Sequence, residues 1–148
     1  MRNREKASKF YEKAKHFCAY LENTEALQKP NFQQLALILA ELYGLALILP
    51  DVESESESAL NREIKSLHID FGKYDTYWEV HNPFDCDDPV CGSLSDDFSD
   101  IYKELNIGIN MYAKDINEAI WHWKWSFENH WSYHVVDALR ALNQILQD

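Results

Sequence analysis

The chain has 148 residues, 46% of them hydrophobic, and its 25 acidic and 14 basic residues give a formal net charge of −11. That length and hydrophobic content suit one domain with a real core and exclude a disordered tail. The charge excludes binding to nucleic-acid phosphates or to anionic membrane surfaces, and it favours a basic protein partner.

The opening residues Met1 to Lys6 are charged and lack the apolar stretch and cleavage site of a secretory signal, so a cytoplasmic location is expected. The cysteines Cys18, Cys86 and Cys91 are odd in number and without redox or zinc spacing, and are read as thiols. From Glu5 to Leu21, Phe10, Ala14, Phe17, Cys18 and Leu21 recur at steps of three and four, which predicts an amphipathic helix. A turn is expected over Asn23 to Pro30. Asn31 then suits the N-cap of a second helix, Phe32 to Leu49, stopped by Pro50. This helix is apolar almost all round. Its run of about 15 residues falls short of the roughly 20 that a bilayer requires and carries Glu41, so a helix surrounded by other helices is expected. Gly44 within it suggests close approach of a neighbour.

The alternating acids and serines of Asp51 to Ser58 read as an exposed connection, and Leu60, Ile64 and Leu67 suggest a short helix from Ala59 to Leu67. From Phe71 to Gly92, aromatic residues are interleaved with glycine and proline. A long packed loop is expected there, with Tyr77 to His81 extended. Asp85, Asp87 and Asp88 lack the glycine and terminal glutamate of a calcium-binding loop and read as a solvated turn. Ser93, with Asp96 three residues on, marks a helix start. Leu94, Phe98, Ile101, Leu105, Ile109 and Tyr112 carry that helix to about Ala113, with Asp97, Asp100 and Glu104 along one flank of the stripe.

The last stretch, Asp115 to Gln147, holds four of the five tryptophans; it suits one long helix or two segments bent around Ser126 to Trp131. Trp121 and Trp125 point to a second side. Together with Trp78 they are candidate interaction residues, although burial under the aromatic loop accounts for them equally well. His134 falls in the middle of the apolar arc, with His130 and Asp137 at its edge. A neutral core histidine bonded to a carboxylate satisfies this pattern. So does a divalent-metal site between two helices, made of His130, His134 and Asp137 with Asp97 and Asp100 opposite. No H-E-x-x-H, glycine-rich phosphate loop or G-x-S-x-G elbow is present, and pairing Cys86 or Cys91 with His81 has no specific spacing behind it.

Three runs carry a family likeness. They are Tyr74-x-x-Tyr77-Trp78-Glu79-Val80-x-x-Pro83, then Val90-x-Gly92-Ser93-Leu94-x-Asp96-Asp97-x-x-Asp100-Ile101-Tyr102, and Phe127-Glu128-x-His130-Trp131-x-x-His134-x-x-Asp137 with the Ala138 to Leu142 that follows. In these runs the chain resembles a family of uncharacterised helical proteins, a domain of unknown function found largely in Bacteroides-type bacteria. The resemblance implies a bacterial, cytoplasmic, helical protein and brings no activity, cofactor or site residue with it.

The expected architecture is all-α: a single domain over residues 1–148, an antiparallel bundle of four main helices with a short extra helix and a long aromatic loop. The expected function is that of a non-enzymatic interaction protein, an adaptor or immunity-like factor without a cofactor or catalytic residue, which could form a homo-oligomer. The alternative is a metal-binding protein or metal-dependent hydrolase using the His/carboxylate cluster.

Overall fold

The computed structural model describes residues 2–54 and 63–148. Helix α1 (Asn3–Leu27) buries Phe10, Ala14, Phe17 and Leu21 along the stripe expected of it and continues past that stripe into the anticipated turn. It stops at Gln28, whose φ of 50° lies in the left-handed region, a conformation that costs a non-glycine residue on the order of 1 kcal/mol. Its side chain offsets this. The Gln28 amide donates to the Glu25 carbonyl (2.8 Å) and accepts from the Asp70 amide (3.0 Å), while the Glu25 carboxylate accepts from the His68 amide (2.6 Å). These bonds hold an extended strap against the end of α1, with Leu67, Ile69 and Phe71 turned inward at every second residue. The short helix expected from Ala59 to Leu67 lies outside the described residues over 59–62. Over 63–67 the chain is not helical and leads into the strap, whose alternation begins at Leu67.

Helix α2 (Phe32–Leu47) starts at Asn31, whose side chain accepts from the Gln34 amide at 3.0 Å. It is not surrounded, as its composition suggested. α1 packs on one side and the last helix beside it, burying Leu35, Ile38, Leu39, Leu42 and Ala46, whereas Leu37 and Leu47 are 52% and 58% exposed. Gly44 faces open space, so the close approach expected there does not occur. Beyond α2, the Leu49 carbonyl accepts from Lys124 Nζ at 3.0 Å, and the same ammonium pairs with Asp51 at 2.6 Å.

The aromatic stretch is more regular than a loop. Strand β1 (Thr76–Glu79) pairs antiparallel with β2 (Val90–Ser93), Thr76 opposite Ser93 and Glu79 opposite Val90. Gly92 sits opposite Tyr77, and any Cβ there would strike the tyrosine ring, which crosses β2 at that point. Asp75 fixes the hairpin to the next helix: its carboxylate accepts from Ser93 Oγ (2.9 Å) and the Ser95 amide (2.8 Å), and its carbonyl from the Leu94 amide (2.8 Å).

Helix α3 (Leu94–Tyr112) begins at Ser93 as expected, with Ser93 Oγ accepting from the Asp96 amide. Its apolar stripe is central to the core, touching α1 on one side and the last helix on the other. Here a glycine does permit close approach. Gly108 lies directly under the Trp123 indole, whose Nε1 donates to the Leu105 carbonyl at 3.1 Å.

The final stretch is one continuous helical run with a widened turn where a bend was a candidate: α4 (Ile116–Ser126), a π segment Phe127–Trp131, and α5 (Ser132–Gln147). Side chains enter the backbone ladder just there. Ser126 Oγ donates to the His122 carbonyl (2.6 Å), and Trp131 Nε1 to the Trp123 carbonyl (3.2 Å). Side chains competing for ladder carbonyls are a recognised cause of such turns. Over the described residues the protein is mainly α-helical, four main helices with a small two-stranded sheet. Among the described residues no helix is long and apolar enough to cross a membrane.

Candidate functional site

The flank of α3 anticipated from the wheel faces the π segment and α5. Asp97, 4% exposed, accepts from the Tyr77 hydroxyl on β1 and lies 2.7 Å from His134 Nδ1 on α5. The other ring nitrogen, His134 Nε2, lies 3.0 Å from Asp100 Oδ2 and 3.3 Å from His130 Nε2, and His130 Nε2 is 3.8 Å from the same Asp100 oxygen. Behind His130, Nδ1 is 3.6 Å from Glu104 Oε2; Glu104 Oε1 is in turn 3.7 Å from Nε2 of His122, a buried residue of α4. Carboxylates and imidazoles therefore alternate across three helices, from Asp97 to His122.

Their electrostatics follow from that alternation. Burial pushes the Asp97 carboxyl above its ordinary value despite the hydrogen bonds from His134 and Tyr77. Burial also disfavours an imidazolium at His134, but the hydrogen bond to Asp97 and the charges of Asp97, Asp100 and Asp137 outweigh it and raise its pKa. For Glu104 burial is overcome by His122 and His130, which hold it below the usual range.

The expected cluster divides in two. Asp100, His130 and His134 each present a ligand atom, all within 4.8 Å of one another, and Asp97 supports them from behind. Asp137 does not join that group; it stands beside Glu79 of β1, whose carboxyl it influences. Burial and the neighbouring Asp137 carboxylate push Glu79 up to about 7. Glu79 was not singled out from the sequence. Its signal was available, since in an extended Tyr77-Trp78-Glu79 the first and third side chains share a face, and Tyr77 reaches Asp97.

Beside the Glu79 and Asp137 pair, between the hairpin and α5, lies a cavity of about 1000 Å³. Trp78, Phe84, Tyr133 and Val136 supply its apolar lining, and Trp78 and Phe84 are 70% and 95% exposed. Glu79, Asp85, Asp87 and Asp137 line it as well, against Arg140 as the fixed positive charge. Trp121 and Trp125 lie elsewhere. They stack on one another with centroids 5.9 Å apart beside Pro50, Asp51 and Lys124, Trp125 being 51% exposed, so the aromatic hairpin does not bury them.

No match to a curated protein was found. The crystal structure of protein BF1032 from Bacteroides fragilis is similar in fold, with a TM-score of 0.68 at 20% identity over 92% of this chain and 89% of that one. The sequence profile described as a domain of unknown function, DUF5063, matches residues 2–148. The chain belongs to that family.

Proposed function

We propose that this protein is a non-enzymatic interaction factor of the adaptor or immunity type, acting in the cytoplasm, whose acidic cavity receives a basic segment of a protein partner. The observation that carries this is the joint exposure of Trp78 and Phe84 on the rim of a cavity lined by four carboxylates and one arginine. A contiguous exposed apolar patch is unusual on a monomer, and aromatic side chains are the typical anchors of protein interfaces. The carboxylates beneath supply the charge complementarity that steers and selects a cationic partner. A lysine or arginine reaching Glu79 and Asp137 would meet negative charge in a partly desolvated place while its apolar neighbours cover Trp78 and Phe84.

Purification from native cells at low salt, wild type beside the double variant Trp78→Ala/Phe84→Ala, tests the proposal. The expected result is a basic partner recovered by the wild type, released at high salt and lost in the variant. A partner retained equally by the variant, or binding indifferent to salt, would overturn it.

A further inference from the structure

We propose that Asp100, His130 and His134 bind one divalent transition-metal ion of the zinc type, fastening α3 to the junction of the π segment and α5. This site goes beyond the partner groove and shares none of its lining residues.

The ligand spacing comes first. A tetrahedral ion about 2.1 Å from each of its ligands sets them about 3.4 Å apart from one another. The three separations here, 3.0, 3.3 and 3.8 Å, bracket that edge. The ring orientation comes second. His134 turns Nδ1 to Asp97, which Tyr77 holds in place, and His130 turns Nδ1 towards Glu104. The hydrogen bond behind His134 is the arrangement that fixes the tautomer of a ligating imidazole and directs its Nε2 lone pair forward, and behind His130 the Glu104 carboxylate stands at the longer distance of 3.6 Å. Both Nε2 atoms then converge on the Asp100 oxygen. Two lone pairs and a carboxylate oxygen at such distances repel unless a cation stands among them. A proton on His134 Nε2 would answer the two contacts made by that atom, whereas one metal ion answers all three.

The donor set indicates the class of ion. Two imidazoles and one carboxylate suit zinc or cobalt and are too few in oxygen for calcium or magnesium. The Asp100 and His130 side chains are 43% and 46% exposed, which leaves water access to a fourth position.

The test uses full-length protein without an affinity tag, stripped with a chelator and titrated with Co(II), then Zn(II). Supporting results are one equivalent of Co(II) with the intense visible bands of tetrahedral coordination, displacement by Zn(II), and weakening of at least tenfold in Asp100→Asn and in His134→Gln. Asp97→Asn, which acts through His134 as a positioning change, is expected to weaken binding by about 10- to 100-fold. The exposed His16 lies on α1, away from the seam, and His16→Gln is the variant expected to leave binding unchanged. Circular dichroism of each variant establishes folding, and partly exposed Asp100 is the position least able to disturb it. Absence of Co(II) and Zn(II) binding, equal affinity for Mg(II), or unchanged affinity in Asp100→Asn would overturn the site. A thiolate-to-cobalt charge-transfer band would do so too, by assigning the ion to the exposed Cys86 or Cys91.

Discussion

Replacing Gly108 by alanine is expected to destabilise the protein, against the ordinary preference of helices. In the interior of an exposed helix, glycine to alanine gains about 1 kcal/mol through backbone entropy. At Gly108 an added Cβ would overlap three atoms of the Trp123 indole, a side chain with no exposed surface whose Nε1 bonds to the Leu105 carbonyl. Forcing a methyl into a filled core costs about 1–3 kcal/mol, and displacing the indole from its buried hydrogen bond adds about 1 kcal/mol. Set against the helix gain, the net loss is about 2 kcal/mol. For a chain of this length that lowers Tm by about 4–8 °C. Gly44 supplies the control, being helical with nothing within 4 Å of an added Cβ, so Gly44→Ala is expected to raise stability by up to about 1 kcal/mol. Urea unfolding followed by tryptophan fluorescence measures both. A Gly108→Ala protein as stable as wild type would refute the packing assigned to Trp123 and, with it, this close contact between α3 and α4.

Tyr77→Phe removes the hydroxyl that donates to buried Asp97 and is expected to cost about 1–3 kcal/mol in denaturant unfolding. Lys124→Met keeps the aliphatic stem but leaves the Leu49 carbonyl without its ammonium; a loss of about 1 kcal/mol is expected, and no loss would show the contact to be incidental. Glu79 faces Asp137 and His134 of α5 and Asp97 of α3, and its folded pKa of about 7 stands above the ordinary 4.5. The folded state therefore binds the proton more tightly, so this contribution to stability is complete below pH 4.5 and is lost as pH rises through 7. Unfolding measured across that window with chelator present is expected to show stability falling with pH, and Glu79→Gln to flatten the fall. An unchanged slope in the variant would exclude Glu79 as its origin.

Local chemistry made the helix starts legible. Asn31 and Ser93 each cap the helix that follows by accepting from the amide three residues on, a bond that depends only on neighbouring residues. The Asp97 and Asp100 flank and the two histidines were legible for the same reason, since residues one turn apart on a helix share a face whatever the rest of the chain does. What depended on distant partners was not. Gly44 and Gly108 are alike as letters in a helical run, and only the position of Trp123 distinguishes them. The outer side of α2 is as apolar as its inner side, so composition could not tell how many neighbours would cover it. Asp137 was grouped with the histidines because it shares their helix edge, and it was drawn to Glu79 by a hairpin whose pairing no wheel could show.

The five residues Phe127–Trp131 act as a phase adjuster between two helices that need different alignments. In a regular α-helix each residue turns the next by about 100°, so deleting one residue here would leave α4 seated on α3 while rotating all of α5 by roughly that angle. Val135, Ala138 and Leu142 would leave the core together, and His134 would lose Asp97 in the same movement. Insertions and deletions within the segment are thus far more damaging than substitutions. The seam of histidines and carboxylates stands where the two phases meet, so its geometry is set by residue count before it is set by residue type.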